Sequence, residues 1–251
     1  MIIKSKTNSQ IKEINKLKHK KYREEKQKFI AEGKKIVEEA LEFQNENVEK
    51  IFASVSYAKG NNIPKEAILV EDEIFSYITE DSNPEGILAI IKIPKEQNID
   101  YSKNNIVILN EIRDPGNMGT ILRTLDSLGI TQVVLTGDIV DPYMPKVVRS
   151  SMGAIFRINI IKRNIIKEIK NLKDRNFKVV CTDMEGENIY TLDKGKYAII
   201  FNNESHGINK DVENIVSGKI SIPMEGKTES LNVAMSVGII MYEFYRKEKF
   251  N

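Results

Sequence analysis

Five apolar runs in the second half of the chain constrain its fold more than any other feature: IVIL (106–109), QVVL (132–135), FKVVCT (177–182), YAIIF (197–201) and KISI (219–222). They are mostly β-branched, and helical patterns separate them. A strand with one wet face alternates apolar and polar residues, whereas a strand covered on both faces is apolar throughout. The runs therefore predict an α/β fold with a parallel sheet and helices on both of its faces.

The first half predicts a smaller α/β layer. Ile11, Ile14 and Leu17 recur at three-residue steps on a short helix over 8–19. KFIAEG reads as a strand ending at Gly33, and Ile36, Val37, Ala40 and Leu41 share a stripe of the helix that follows. VEKIFAS, EAILV and GILAIIKI read as strands, with EDEIFSYIT a helix between the last two. The pattern lapses over 93–105, a polar stretch with Pro94 and no period. The expected domains are 1–95 and 106–251, with 96–105 as linker. The chain should close on a long amphipathic helix carrying Leu231, Ala234, Met235, Gly238, Ile239 and Tyr242 on one face.

Charge is unevenly spread. Residues 1–35 hold twelve Lys or Arg against four Glu, a net of +8, so the other 216 residues sum to −6 for a total of +2. A basic end on a slightly acidic body suits an arm that seeks phosphates, with Lys18, Lys20, Lys21 and Arg23 as candidate contacts; a solvated helix face is the plainer alternative. The N-terminal stretch lacks the apolar core of a signal peptide, and no apolar run approaches membrane-spanning length. With a single cysteine, Cys181, a cytoplasmic protein with no membrane association is expected.

Elimination narrows the chemistry. No GxxxxGK[ST] or GxGxxG follows a strand, no GxSxG elbow is present, and one Cys with two His in different halves gives no metal-ligand spacing. The expected reaction needs neither metal nor covalent nucleophile. Three polar clusters remain at expected strand ends: RDPGNMGTILR (113–123), MPKVVRSSMGAIFRI (144–158), and FNNESHG (201–207) with ISIPMEGKTESLNVA (220–234). Ligands of open α/β sheets bind outside the carboxyl ends of the strands, so these loops could share a cleft. Singly, each residue also has a structural reading. Asn117 and Asn232 can be helix caps, Arg123 helix surface and Glu204 a solvated acid, while Ser150, Ser151 and Gly153 can close a helix.

Taken in order, the clusters resemble the three motifs of the SpoU (TrmH-like) family of RNA ribose 2'-O-methyltransferases. The first is matched by Asn117, Gly119 and Arg123. The second is matched by Arg149-Ser150-Ser151-Met152-Gly153-Ala154. The third is matched by Asn203-Glu204 with Gly207, Ile222-Pro223-Met224 and Ser230-Leu231-Asn232-Val233. The likeness spans roughly 105–246, and the first half resembles the L30e-like substrate-binding domain of some members around Phe29, Glu32 and Gly33. One residue departs from the pattern: Asn202 stands where the family has Gly.

The resemblance implies a parallel sheet threaded into a trefoil knot, against the rule that chains avoid knots. It also implies a homodimer packed through that domain and S-adenosylmethionine as cofactor, held largely by backbone groups. By position it makes Asn202, Ile222 and Leu231 cofactor contacts, with Thr182 and Met224 as walls. It makes Arg123, Asn117, Glu204 and Asn232 catalytic, and Arg149 and Ser150 RNA contacts. Ribosomal RNA is the expected partner ahead of tRNA, with a non-catalytic RNA-binding protein of the same fold as the alternative.

These residue types suit the chemistry. A ribose hydroxyl is flanked by phosphate, which a guanidinium can clamp bidentately. An amide can donate and accept at once, and so can orient a sugar hydroxyl.

Overall fold

The structure is a computed structural model that describes residues 2–203 and 209–250. Its elements in chain order are β1 (Ile2–Ile3), α1 (Ser9–Leu17), α2 (Lys20–Lys26), β2 (Lys28–Glu32), α3 (Lys34–Phe43), β3 (Val48–Ser54), α4 (Val55–Gly60), β4 (Ile68–Val70), α5 (Asp72–Ile78) and β5 (Ile87–Lys92), then β6 (Asn105–Asn110), α6 (Pro115–Ser127), β7 (Gln132–Thr136), α7 (Pro145–Ser150), β8 (Asn159–Lys162), α8 (Ile165–Lys173), β9 (Lys178–Asn188), β10 (Tyr197–Asn202), α9 (Lys210–Glu213), β11 (Gly218–Ser221) and α10 (Val233–Lys249). They form two compact units. The first comprises 1–95 together with 141–157, and the second 96–140 together with 158–251.

The first unit holds a five-stranded mixed sheet in the order β1-β4-β3-β5-β2, with β5 antiparallel to both neighbours. Ile11, Ile14 and Leu17 are buried as their spacing predicts, against Ile30, Phe52, Phe75 and Leu88. Helix α2 ends where Gln27 turns left-handed at φ 52°, and the chain enters β2 directly.

Segment 141–157, the second motif cluster, belongs to this unit. Tyr143 and Phe156 pack on the Phe29 ring, with centroids 4.9 and 6.3 Å away. Three ion pairs add to this. Arg23 Nε donates to Asp141 Oδ2 at 2.7 Å, Arg149 reaches Glu32 at 3.4 Å, and Arg157 pairs with Glu39. Burial pushes the Glu32 carboxyl up, against the pull of Arg149. Glu39 is also partly desolvated, but Lys35 and Arg157 hold its carboxyl below the usual range.

In the second unit the apolar runs become a six-stranded, all-parallel sheet in the order β11-β9-β10-β6-β7-β8. Ile106, Ile108, Val134, Val179, Ala198 and Ile200 fill one core cluster. The stretch expected as linker contributes to it, because Ile99 is buried there and the Asp100 N–H bonds Gln132 at 2.8 Å. At the far edge β9 and β11 pass so closely that a Cβ on Gly186 would lie 2.5 Å from the Ile220 backbone.

Helix α10 departs from expectation. It buries Val233, Ala234, Val237, Ile240, Met241 and Phe244, while Met235 and Tyr242 of the anticipated face are 59% and 55% exposed. Val233, Val237 and Ile240, at i, i+4 and i+7, turn inward, and the small residues turn inward beside them: Ala234 is buried, and a Cβ on Gly238 would lie 3.7 Å from Thr124 of α6. No helix among the described residues is long and apolar enough to cross a membrane.

Candidate functional site

The carboxyl ends of β6, β9, β10 and β11 deliver the site in the second unit. Asp114 and Pro115 start α6: the Asp114 side chain accepts the Asn117 N–H at 2.7 Å, and Pro occupies a position whose N–H would be unpaired. Asn117 is therefore not the cap, and its side chain is free for another bond. Its Oδ1 accepts from Asn232 Nδ2 at 3.0 Å. Asn232 is itself the cap of α10, accepting the Ala234 N–H at 3.0 Å. Two motif residues 115 positions apart are thus directly bonded, and the cap reading of Asn232 holds together with the functional one.

Beside Asn232 lies a cavity of about 230 Å³. Thr182, Asn202, Ile222, Met224 and Leu231, the five residues expected around a cofactor, all line it. Ile220, Val233 and Ile240 add apolar wall, while Asp183, Ser230 and Ser236 add polar groups. A mostly apolar cleft with a few convergent polar atoms is what a small cofactor requires. Cys181, one residue before this wall, is buried, which pushes its thiol up to about 11 and leaves it a poor nucleophile.

Arg123 is exposed on α6 and makes no hydrogen bond or ion pair among the described residues. Glu204, expected to be catalytic, lies outside the described residues, as does Gly207.

The expected RNA contacts fare unevenly. Lys20 and Lys21 are exposed, and Lys20 lies 3.9 Å from Glu24. Lys18 is half-buried, with its Nζ donating to the Thr79 carbonyl at 3.4 Å, and burial lowers its pKa. Arg23 corrects the sequence reading: it is 3% exposed, and its guanidinium is used by Asp141 and the carbonyls of Leu17 and Lys18. Arg149 pairs with the buried Glu32, and the Ser150 hydroxyl donates to the Lys146 carbonyl, both within the first unit.

Sequence reasoning missed Asn110 and Thr136. Along the sheet Thr136, Asn110 and Asn202 are register partners on β7, β6 and β10. Thr136 Oγ1 donates to Asn110 Oδ1 at 2.9 Å, and Asn110 Nδ2 donates to Asn202 Oδ1 at 3.1 Å. A polar residue closing three neighbouring apolar runs was the available signal. No group of three or more His, Cys, Asp or Glu among the described residues could hold a metal ion.

The chain is similar to known proteins over nearly its whole length. The SpoU rRNA Methylase family matches residues 104–242, and an MRM3-like substrate binding domain matches 8–89. The chain is 29% identical to the 23S rRNA (guanosine(2553)-2'-O)-methyltransferase RlmP of Bacillus subtilis, over 96% of this chain and 97% of that one. An AdoMet-bound rRNA methyltransferase from Sinorhizobium meliloti superposes with a TM-score of 0.83 at 27% identity, covering 100% of this chain and 99% of the other. The AdoMet-bound SpoU methyltransferase AviRb from Streptomyces viridochromogenes, at 21% identity, a TM-score of 0.79 and coverage of 96% and 99%, shares the fold. By its three motifs, its parallel sheet and these matches, the chain belongs to the SpoU rRNA Methylase family.

Proposed function

We infer that this protein transfers a methyl group from S-adenosylmethionine to a ribose 2'-hydroxyl of RNA, with ribosomal RNA as substrate. The observation that carries this reading is the Asn117–Asn232 bond, which joins the first and third motifs beside the cavity. The residues present fit the cofactor: the cavity has apolar walls for a purine and polar groups at Asp183, Ser230 and Ser236 for the charged end, and Asn202 holds a buried amide donor there with no partner among the described residues. When bound, the cofactor supplies an activated methyl group.

The chain's own residues then have to hold and orient. Thr182, Asn202, Ile222, Met224 and Leu231 hold the cofactor. The bonded Asn117 and Asn232 amides fix the ribose edge. Holding reactants in line supplies much of the barrier reduction in such a displacement. Arg123, exposed and without a bond among the described residues, clamps the phosphate beside the reacting hydroxyl. A guanidinium is effectively always protonated, so it orients and polarises that hydroxyl while the proton leaves to phosphate or water. Glu204 stays in the proposal as a catalytic residue on the family motif alone. DNA is rejected because it lacks the reacting group.

Residues 1–95 serve as the RNA-binding domain and 106–251 as the methyltransferase domain, a division supported by the two family matches. The trefoil threading belongs to the same proposal and is supported by family membership. The homodimer is supported as well by the exposed Met235 and Tyr242 on α10. A cytoplasmic location goes with the substrate.

Incubation with radiolabelled cofactor and unmodified RNA tests the function. Label in the ribose of ribosomal RNA is the expected result. Label in tRNA alone would replace the substrate, label on a base would replace the acceptor, and cofactor binding without transfer to either RNA would return the protein to an RNA-binding role.

A further inference from the structure

Asn202 is the residue that breaks the family pattern, and the structure gives its side chain an unusual position. It closes β10, is 8% exposed, and lines the cavity. Its Oδ1 is satisfied by Asn110 Nδ2 at 3.1 Å, yet its Nδ2 is buried with no hydrogen-bond partner among the described residues. A buried donor left unmade costs free energy, and native proteins rarely keep one without a use.

The bonds behind it run in one direction in the structure. The Thr136 hydroxyl donates to Asn110 Oδ1 at 2.9 Å, the shorter of its two contacts, the other being 3.4 Å to the Leu109 carbonyl. Asn110 Nδ2 donates in turn to Asn202 Oδ1. The direction runs from Thr136 through Asn110 to Asn202, and the free Nδ2 is its open end.

We propose that the Asn202 side-chain amide donates a hydrogen bond to an acceptor atom of the bound S-adenosyl cofactor, with Asn110 and Thr136 as the positioning residues that hold its donor toward the cavity. The inference rests on the cavity being the cofactor site and goes beyond it, since the family resemblance assigns this position a backbone contact only. S-adenosylmethionine and S-adenosylhomocysteine both offer carboxylate, ribose-hydroxyl and ring-nitrogen acceptors, so either can meet such a donor. The chain thereby replaces a glycine with an added polar contact, and polar contacts of this kind set specificity because a ligand without the acceptor leaves the donor unpaired.

Titration of the full chain with S-adenosylhomocysteine tests this. The wild type should bind; a folded wild type that does not bind removes the cofactor reading of the cavity, and this proposal with it. Given binding, Asn202→Gly, which restores the family residue, should weaken affinity by roughly five- to tenfold, the scale of one hydrogen bond. Asn202→Asp keeps the acceptor for Asn110 and replaces the donor by a second acceptor, so it should weaken affinity further. Thr136→Val should weaken binding about twofold to fivefold in the wild-type background and have no effect in Asn202→Gly, which a merely structural role for Thr136 would not produce. In amide-resolved NMR spectra the Asn202 side-chain protons should shift on adding the ligand, a readout that does not depend on a variant folding. Equal affinity in the wild type, Asn202→Gly and Asn202→Asp, or unshifted side-chain protons in the saturated wild type, would overturn the proposal.

Discussion

The buried arginines of the first unit and the motif residues at the carboxyl edge of the second unit's sheet treat polar groups in opposite ways. In the first, buried or half-buried arginines face carboxylates: Arg23 with Asp141, Arg149 with Glu32, and Arg157 with Glu39. In the second, the carboxyl edge of the sheet leaves the Asn202 Nδ2 without a partner and α6 leaves the Arg123 guanidinium uncommitted, both among the described residues. Residue type does not separate the two cases, since arginine occurs in both. The difference lies in whether the chain supplies the partner: a matched charge holds the molecule together, and an unmatched one is left for a ligand.

That contrast can be broken from the matched side first. Arg23→Gln leaves Asp141 buried without its cation and should destabilise the first unit by about 3–5 kcal/mol in denaturant unfolding. Adding Asp141→Asn should recover much of the loss. A loss under about 1 kcal/mol would mean that the pair is not the seal its burial suggests.

On the unmatched side, Arg123→Ala should lower single-turnover methyl transfer about a hundredfold or more. Cofactor affinity and thermal stability should stay near wild type. Arg123→Lys keeps the charge without the fork and should rescue only in part. Near-normal turnover in the alanine variant would return Arg123 to ordinary helix surface.

Asn232 stands between the two classes, being both a cap and a motif residue. Asn232→Ala should cost about 1 kcal/mol of stability through the lost cap. A double-mutant cycle with Asn117→Ala should show coupling of about 0.5–1.5 kcal/mol. Purely additive losses would argue that the 3.0 Å bond is incidental.

The smallest expected effect concerns the arm. With Arg23 committed to Asp141, the exposed Lys20 and Lys21 carry the test. Changing both to Gln should flatten the log–log salt dependence of RNA binding by roughly one to two units of slope and leave cofactor binding intact. An unchanged slope would leave them a solvated face.

Much of the fold was legible because burial on two sides writes itself into sequence. The runs at 106–109, 132–135, 177–182, 197–201 and 219–222 lie in five of the six parallel strands, and Ile11, Ile14 and Leu17 point inward as their spacing requires. Strand β8 went unread because INIIK is short and trails a motif cluster. The cavity lining was legible for a different reason: the motif resemblance carried Thr182, Asn202, Ile222, Met224 and Leu231 by position.

What the sequence alone determined was therefore local: which segments are strand or helix, and which polar clusters fall at strand ends. Tertiary structure alone decided which partner each side chain meets. The partners of Arg23, Asn117 and Asn202 lie 118, 115 and 92 residues away along the chain, at Asp141, Asn232 and Asn110. It also decided which stripe of α10 faces the sheet, because two apolar stripes on one helix are equivalent until a surface selects between them. Periodicity records a residue's own solvent exposure, whereas hydrogen-bond and ion-pair partners are set by the crossing of distant segments. For that reason Arg23 could be read as a phosphate contact and turns out to be part of the seal.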